Sequence, residues 1–247
     1  TYTPQTGVYS ALHHELKALG HSDDAQTILG QLTTGFKNLI INGNPTINQR
    51  GYVSATATTS ANQYTLDRWR VVTLGQALTF STTANVTTMT LPAGGIEQVI
   101  EGLNFQSGTY TISFVATGDT VCTVNAVTKA SGDTFTLTGG TNATVKFSSA
   151  IGTGTVKLIQ VEKGSVATPF EQRPYGLELS LCQRYYEVIN RKLFSTAAPG
   201  FGGNTYFNNM SFHDKRVIPL ITLYDSSNNV NKVTLYQSAT AFDNVTY

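Results

Sequence analysis

The fold class is clearest in residues 109–116, which read Thr109-Tyr110-Thr111-Ile112-Ser113-Phe114-Val115-Ala116. Apolar Tyr110, Ile112 and Phe114 alternate with polar Thr111 and Ser113, which is the period of two that side chains follow along a β-strand. One face of such a strand is buried and the other is in contact with water. This stretch therefore predicts a half-buried strand, and the sequence on either side of it predicts more strands.

Six further runs have strand-like patterning and are separated by residues suited to tight turns. The turns include Gly118-Asp119, Ser131-Gly132-Asp133 and Gly139-Gly140. The predicted strands are Trp69–Leu74, Val86–Leu91, Thr120–Val127, Thr134–Thr138, Thr144–Phe147 and Thr155–Val161. Short strands at this spacing predict a β-sandwich for residues 37–173.

The first 36 residues have helical periodicity instead. Val8, Leu12, Leu16 and Leu19 recur at four- and three-residue steps before Gly20, and Ser22 to Asp24 cap a second apolar run that reaches Phe36. A short helical hairpin is predicted. Two such helices cannot bury their apolar faces alone, so residues 1–36 are expected to serve attachment or oligomerisation.

Residues 174–247 are predicted to hold one helix and a smaller C-terminal β region. Leu177, Leu181, Tyr185 and Val188 share a face of a helix from Leu177 to about Ile189, which is expected to bridge two β regions. Strands are predicted at Pro219–Tyr224 and Val233–Tyr236, with a turn at Asp225–Asn229 between them. Whether this region is complete or is completed by another subunit is left open.

Composition argues against several functional classes. Only 13% of the 247 residues are charged and the formal net charge is +1, so no basic field would attract nucleic acid. No apolar run approaches the roughly 18 to 20 residues that a membrane-spanning helix needs, and no signal segment is apparent. A soluble protein without nucleic-acid binding or membrane insertion is expected.

The two cysteines and the histidines do not predict a metal centre. Cys122 and Cys182 lie 60 positions apart in apolar stretches and are predicted to be buried free thiols, with a disulfide as the less favoured alternative. His13-His14-Glu15 lacks a second histidine at the helical spacing of a zinc protease, because position 18 is Ala18. No metal and no cofactor are expected from these residues.

Eight short segments, in order along residues 38–186, carry a resemblance to a known family. They are Asn38–Asn44, Gln49–Gly51, Tyr64–Trp69, Ile96–Gly102, Tyr110–Phe114, Val161–Glu171, Arg173–Gly176 and Leu181–Tyr186. Together they resemble a module of bacteriophage tail-fibre and related virion proteins. The chain departs from the family at Asn44-Pro45-Thr46, where members more often carry an aromatic residue after the asparagine.

The resemblance implies a jelly-roll sandwich similar to carbohydrate-binding modules, on fibres that are commonly homotrimeric. It further implies a virion location, other virion proteins as partners through residues 1–36, and a bacterial surface glycan or receptor as ligand. Similar sandwiches hold a calcium ion that braces a loop, and the sequence leaves open whether one does so here.

Seven residues are candidates for ligand binding, each with a structural alternative. Trp69 could stack on a sugar ring, but its apolar neighbours favour core packing. Asp67 and Arg68 more often tie a loop to a strand end, and Asn42 and Arg50 belong to a polar cluster equally suited to turns. Tyr206 and Phe207 could belong to an exposed aromatic surface of the C-terminal region, or they could pack in its core.

Three functions are compatible with the sequence. The favoured one is a tail fibre that binds the bacterial surface without catalysis. The alternative is a structural head fibre or capsid decoration protein, and a polysaccharide depolymerase is least favoured. No catalytic constellation is visible: Glu97 and Glu101 are four apart and could share a helix face, but they would not oppose each other across a glycosidic bond.

Overall fold

The computed structural model describes residues 36–189 and 212–222 with their side chains, and the backbone of four short strands at 196–197, 206–207, 233–237 and 240–245. The predicted hairpin of residues 1–36 lies outside the described residues except for Phe36. Backbone contacts divide the chain into two units, Thr1–Ser211 and Phe212–Tyr247.

Two antiparallel sheets form the first unit. The six-stranded sheet has the spatial order β1-β2-β5-β10-β7-β8, and the five-stranded sheet has the order β3-β4-β11-β6-β9. The strands of the first sheet are β1 (Gln63–Tyr64), β2 (Arg70–Val71), β5 (Ile96–Ile100), β7 (Thr120–Val124), β8 (Val127–Lys129) and β10 (Ala143–Ser149). Those of the second are β3 (Thr79–Thr83), β4 (Val86–Thr90), β6 (Gly108–Thr117), β9 (Thr134–Leu137) and β11 (Thr155–Lys163).

The chain passes repeatedly from one sheet to the other, so neighbours within a sheet are distant in sequence. In the first sheet β10 lies between β5 and β7, and in the second β11 lies between β4 and β6. The last two strands of the sandwich therefore fill the middle of both sheets.

The sandwich core lies between the sheets. Trp69, immediately before β2, is completely buried, and its ring centroid lies 6.2 Å from that of Phe147 in β10. Phe147 also meets Phe114 of β6 edge to face at 5.0 Å, which joins the two sheets. Each large apolar side chain buried in this way contributes about 1.5–3 kcal/mol to folding. This two-layer packing confirms the predicted β-sandwich class.

Six of the seven predicted sandwich strands overlap an observed strand, although Trp69–Leu74 shortens to β2. The seventh, Thr120–Val127, was wrong as a single strand, because the chain turns at Asn125 and Ala126, where φ is 48° and 66°, and divides it into β7 and β8.

The shared helix face considered for Glu97 and Glu101 is absent, because Glu97 lies on strand β5. One further expectation in this region was wrong. Thr111 was expected on the solvent-exposed face of its strand but is fully buried, because residues 164–171 cover that face of the sheet. The Thr111 hydroxyl donates to the Gly164 carbonyl at 2.8 Å.

The predicted helix is shorter than expected. Helix α1 spans Tyr175–Gln183, and Pro174 at its N-cap position supplies the extended backbone that precedes it. Its buried side chain is that of Cys182, which packs on Ile41 and Ile47 with Leu179, Leu181 and Tyr185 around it. Val188, which was predicted on the buried face, is exposed. Cys122 and Cys182 are both buried free thiols, as predicted.

The remaining strands form two small antiparallel pairs. β12 (Thr196–Ala197) pairs with β13 (Tyr206–Phe207), and in the second unit β14 (Val233–Gln237) pairs with β15 (Thr240–Val245). The prediction of a strand at Val233–Tyr236 is confirmed. The prediction for Pro219–Tyr224 was wrong over residues 219–222, which form no strand; the predicted turn at 225–229 lies outside the described residues.

Candidate functional site

The entry segment, residues 37–48, is fixed to the middle of the second sheet by an irregularity in β11. The register of β11 against β6 shifts between Lys157 and Gln160, and Leu158 there has a φ of 51°. This frees the backbone of Ile159, whose N–H donates to the Gly43 carbonyl at 2.9 Å and whose carbonyl accepts the Asn38 amide at 3.0 Å.

Gly43 is required at this crossing. A Cβ atom on Gly43 would lie 2.2 Å from the Ile159 carbonyl oxygen, which is far inside van der Waals contact. Only glycine lets the two backbones approach so closely.

The return segment, residues 164–174, crosses the entry segment and is bound to it by Arg173. The Arg173 guanidinium donates to the carbonyls of Asn38 and Ile40, the latter at 3.3 Å. It also pairs with Glu171 at 3.4 Å and with Glu178 at 3.2 Å. Its side chain is only 3% exposed, so its charge is compensated inside the protein by these partners.

An open cleft of about 510 Å³ lies where the entry segment, the return segment and the β3–β4 hairpin meet. Its walls come from residues 43–48, from Phe80 to Thr87 and from Phe170 to Glu178. Its volume is in the range typical of sites for small ligands. Because these residues come from three distant parts of the chain, the cleft exists only in the folded sandwich.

Some polar groups of the cleft are used to build it. The Asn44 amide donates to the Asn85 carbonyl at 2.7 Å and accepts from the Thr87 N–H at 2.9 Å. Asn48 likewise makes two hydrogen bonds to the backbone of Tyr52. These asparagines hold the walls rigid.

Other polar groups of the cleft are open to solvent. The side chains of Thr46, Asn85 and Gln172 are exposed and make no hydrogen bond within the part of the chain that the structure describes. Tyr175, at the first position of α1, is 64% exposed and also makes no side-chain hydrogen bond there. The cleft thus combines one exposed aromatic ring with hydroxyl and amide groups.

Three of the candidate residues from the sequence form a buried support behind the entry segment. Asn42 is fully buried, with its amide bonded to the Ile47 and Asp67 carbonyls at 3.0 and 2.9 Å. The Asp67 carboxylate accepts the Gln49 N–H at 3.0 Å and pairs with Arg50 at 3.5 Å. Burial raises the pKa of Asp67, and the bonds from Gln49 and the Arg50 charge oppose that rise.

Arg50 and Arg68 stack on tyrosines that follow α1. The guanidinium carbon of Arg50 lies 3.7 Å from the ring centroid of Tyr186. The guanidinium carbon of Arg68 lies 3.5 Å from the ring centroid of Tyr185. Arg68 is 7% exposed, and burial lowers its pKa. Both arginines therefore tie the end of the helical segment to the sandwich.

Trp69 occupies the core position that the sequence favoured for it. It is 0% exposed, and its indole N–H donates to the Asn42 carbonyl at 2.9 Å. Tyr206 and Phe207 lie in strand β13, and their side chains are outside the described residues.

The cleft thus brings together a set of residues different from the seven candidates. Sequence reasoning did not select Thr46, Asn85, Gln172 or Tyr175 as site residues, although Thr46 stood in the quoted stretch Asn44-Pro45-Thr46 and Tyr175 in Arg173–Gly176.

Comparison with known proteins assigns no relationship: no family model, no curated protein and no solved structure matches this chain. Within the described residues, no helix combines the length and apolar character needed to cross a membrane. In the same part of the chain, no three His, Cys, Asp or Glu side chains are grouped as metal ligands.

Proposed function

We propose that this chain is a virion fibre protein of a tailed bacteriophage, part of the tail fibre, that binds a bacterial surface glycan without catalysis. The observation that carries the proposal is the open cleft, where an exposed tyrosine ring stands beside free hydroxyl and amide groups on rigid walls. Sugar recognition uses this combination, since an aromatic face packs on C–H groups while hydroxyls and amides bond the sugar oxygens. The sequence resemblance to virion modules supports the same function.

The proposal includes a jelly-roll assignment for the sandwich, a homotrimeric assembly, and contacts with other virion proteins through residues 1–36. A single millimolar site contributes only about 4 kcal/mol of binding free energy. Three linked sites raise the apparent affinity by orders of magnitude without new contacts, so assembly would be part of the function.

The carboxylates that line the cleft have structural roles that favour binding over glycan cleavage. Glu171 accepts the Asn38 N–H at 2.8 Å, and Glu178 accepts the Asn42 N–H. Both also pair with Arg173. A glycosidase needs one carboxylic acid that can deliver a proton and a second carboxylate placed across the scissile bond. Two carboxylates held by one guanidinium and by backbone N–H groups are not arranged for that exchange.

Binding to whole cells tests the proposed function. Fluorescently labelled protein is expected to stain some strains in a panel of bacteria, and periodate oxidation of the cell surface, which cleaves vicinal diols, should remove the staining. Staining that survives periodate but is lost after protease treatment of the cells would point to a protein receptor, and an absence of staining on every strain that the source phage infects would reject host binding.

Electron cryomicroscopy of the phage particle separates the tail fibre from the structural alternative. Density for this chain in a threefold fibre on the tail is expected. Density on the capsid shell would instead make it a head fibre or decoration protein.

A further inference from the structure

The charges around the cleft restrict the ligand class. Its charged lining side chains are Glu171, Arg173 and Glu178, which sum to one negative charge at neutral pH. The carboxylate-bearing side chains are 17% and 13% exposed, whereas that of Arg173 is 3% exposed. A ligand in the cleft therefore meets the two carboxylates more directly than the guanidinium.

This arrangement disfavours an anionic ligand. Two like charges about 4 Å apart near a protein surface repel strongly enough to weaken binding roughly a thousandfold. That factor is comparable with the whole affinity of a weak sugar site. Uronic acids, sialic acids and phosphorylated sugars would each bring a negative charge toward Glu171 or Glu178.

The uncharged groups of the cleft suit a neutral sugar. Thr46, Asn85 and Gln172 offer a hydroxyl and two amides that are not used within the described structure, and an amide can both donate to and accept from sugar hydroxyl or acetamido groups. Tyr175 at the rim offers a ring face to the C–H side of a pyranose.

We propose that the cleft binds uncharged hexose or N-acetylhexosamine units and discriminates against acidic glycans, with Tyr175 as the stacking platform. This inference rests on the proposed function, because it names the glycan class and the place where it binds. It is independent of where the chain sits on the virion.

Saturation-transfer NMR with the full chain tests this specificity. Maltotriose, cellotriose and the trimer of N-acetylglucosamine serve as neutral probes, and trigalacturonate and sialyllactose serve as acidic probes. At least one neutral probe is expected to give a signal at millimolar concentration, and neither acidic probe should do so. Acidic probes that bind as well as the neutral ones would overturn the charge argument.

Three variants locate the binding. Tyr175→Ala is expected to weaken the neutral probe about fivefold or more, while Tyr175→Phe keeps the ring and should retain binding. Tyr64→Ala removes a tyrosine that is 37% exposed but does not line the cleft, so it should leave the signal unchanged. Equal binding by Tyr175→Ala and the parent chain would place the site elsewhere.

A gain-of-charge variant tests the discrimination directly. Gln172→Lys adds a cation at the exposed wall and is expected to create binding of trigalacturonate that high salt abolishes. No gain in binding would count against the charge argument.

If the parent chain stains bacterial cells in a periodate-sensitive way but binds none of the neutral probes, this inference fails while the proposed function stands. If it stains no cells, the proposed function fails as well.

Discussion

Arg173 connects two ends of the sandwich that are distant in sequence. Its guanidinium reaches the backbone of Asn38 and Ile40 on one side and the carboxylates of Glu171 and Glu178 on the other. The planar fork of an arginine holds five donors in a fixed geometry, whereas a lysine ammonium has three donors on a flexible stem. The fixed geometry of the cleft therefore depends on a residue whose own charge is hidden.

Replacement of Arg173 by alanine should be strongly destabilising. The change leaves two carboxylates without their cation and the Asn38 and Ile40 carbonyls without the guanidinium donor, and breaking a buried ion pair in this way costs about 3–5 kcal/mol. The free energy of unfolding from chemical denaturation measures the effect. Arg184→Ala is the comparison, because Arg184 is 42% exposed and its pair with the buried Glu101, at 3.6 Å, involves one carboxylate and not two, so its loss should cost clearly less than that of Arg173. Similar costs for the two variants would contradict this account.

Asp119 gives the protein a pH dependence with a defined sign. Its carboxylate accepts the Ile151 N–H at 2.9 Å and the hydroxyls of Ser149 and Thr153, which holds its pKa well below the usual value of 3.8. A carboxylate with a lowered folded-state pKa stabilises the fold above the unfolded-state pKa, and this contribution is lost as the pH falls below it.

The predicted comparison is between the parent chain and Asp119→Asn. The parent should be more stable at pH 7, and the difference in melting temperature should shrink as the pH falls from about 4 toward 2. The other carboxyl groups are common to both chains, so the difference isolates Asp119. A difference that is constant across this range would show that the hydrogen bonds do not depend on the charge.

At the scale of elements, the join between the entry segment and β11 should be intolerant of a side chain. Gly43→Ala places a Cβ atom against the Ile159 carbonyl, so one backbone must move and the hydrogen bonds at the crossing weaken. We expect a loss of about 1–3 kcal/mol in the free energy of unfolding. Gly176→Ala is the control: nothing lies within 4 Å of its Cβ position in α1, so it should be neutral or stabilise by up to about 1 kcal/mol. An unchanged stability of Gly43→Ala would refute the close approach.

The strands of the sandwich were predictable because their signal is local. In β6, β7 and β9 to β11, the alternating side chains and the glycine turns that predict a strand lie within a few residues of each other. β1, β3 and β5 escaped prediction, and β8 was merged with β7. Thr79–Thr83 is a mostly exposed edge strand of polar residues. In Ile96–Ile100 the Glu97 carboxylate pairs with Arg70 of β2, and the Gln98 amide bonds the backbone of Ile41 in the entry segment.

The site could not be predicted in the same way. The cleft depends on the contact of the entry segment with Ile159 of β11 and on its link to the return segment through Arg173. Nothing in the local sequence of Thr46 or Gln172 indicates which residues will stand opposite them. The motif around Arg173 was recognisable as a resemblance, but its role as the link between Asn38 and Glu178 appears only from the fold.

At the scale of the whole molecule, the proposed assembly predicts a particle mass. Sedimentation equilibrium or light scattering of the full chain should give three times the 26.6 kDa mass of one chain. The reason is that weak sugar sites need to be linked to hold a cell surface. A monomer at micromolar concentration would contradict trimerisation by this chain alone. The Tyr175→Ala variant should have the same mass as the parent, because the proposed sugar site is separate from the contacts that assemble the trimer.

The entry and return segments also bring the two ends of the sandwich side by side, since the Asn38 N–H meets the Glu171 carboxylate and the Lys37 ammonium lies 3.0 Å from the Pro169 carbonyl. A module whose chain arrives and departs at neighbouring points can be inserted into a host protein with little disturbance of the host's own path. A protein engineer could therefore graft the sandwich into a surface loop, provided that α1 is carried along, because Glu178 and Cys182 contact the entry segment.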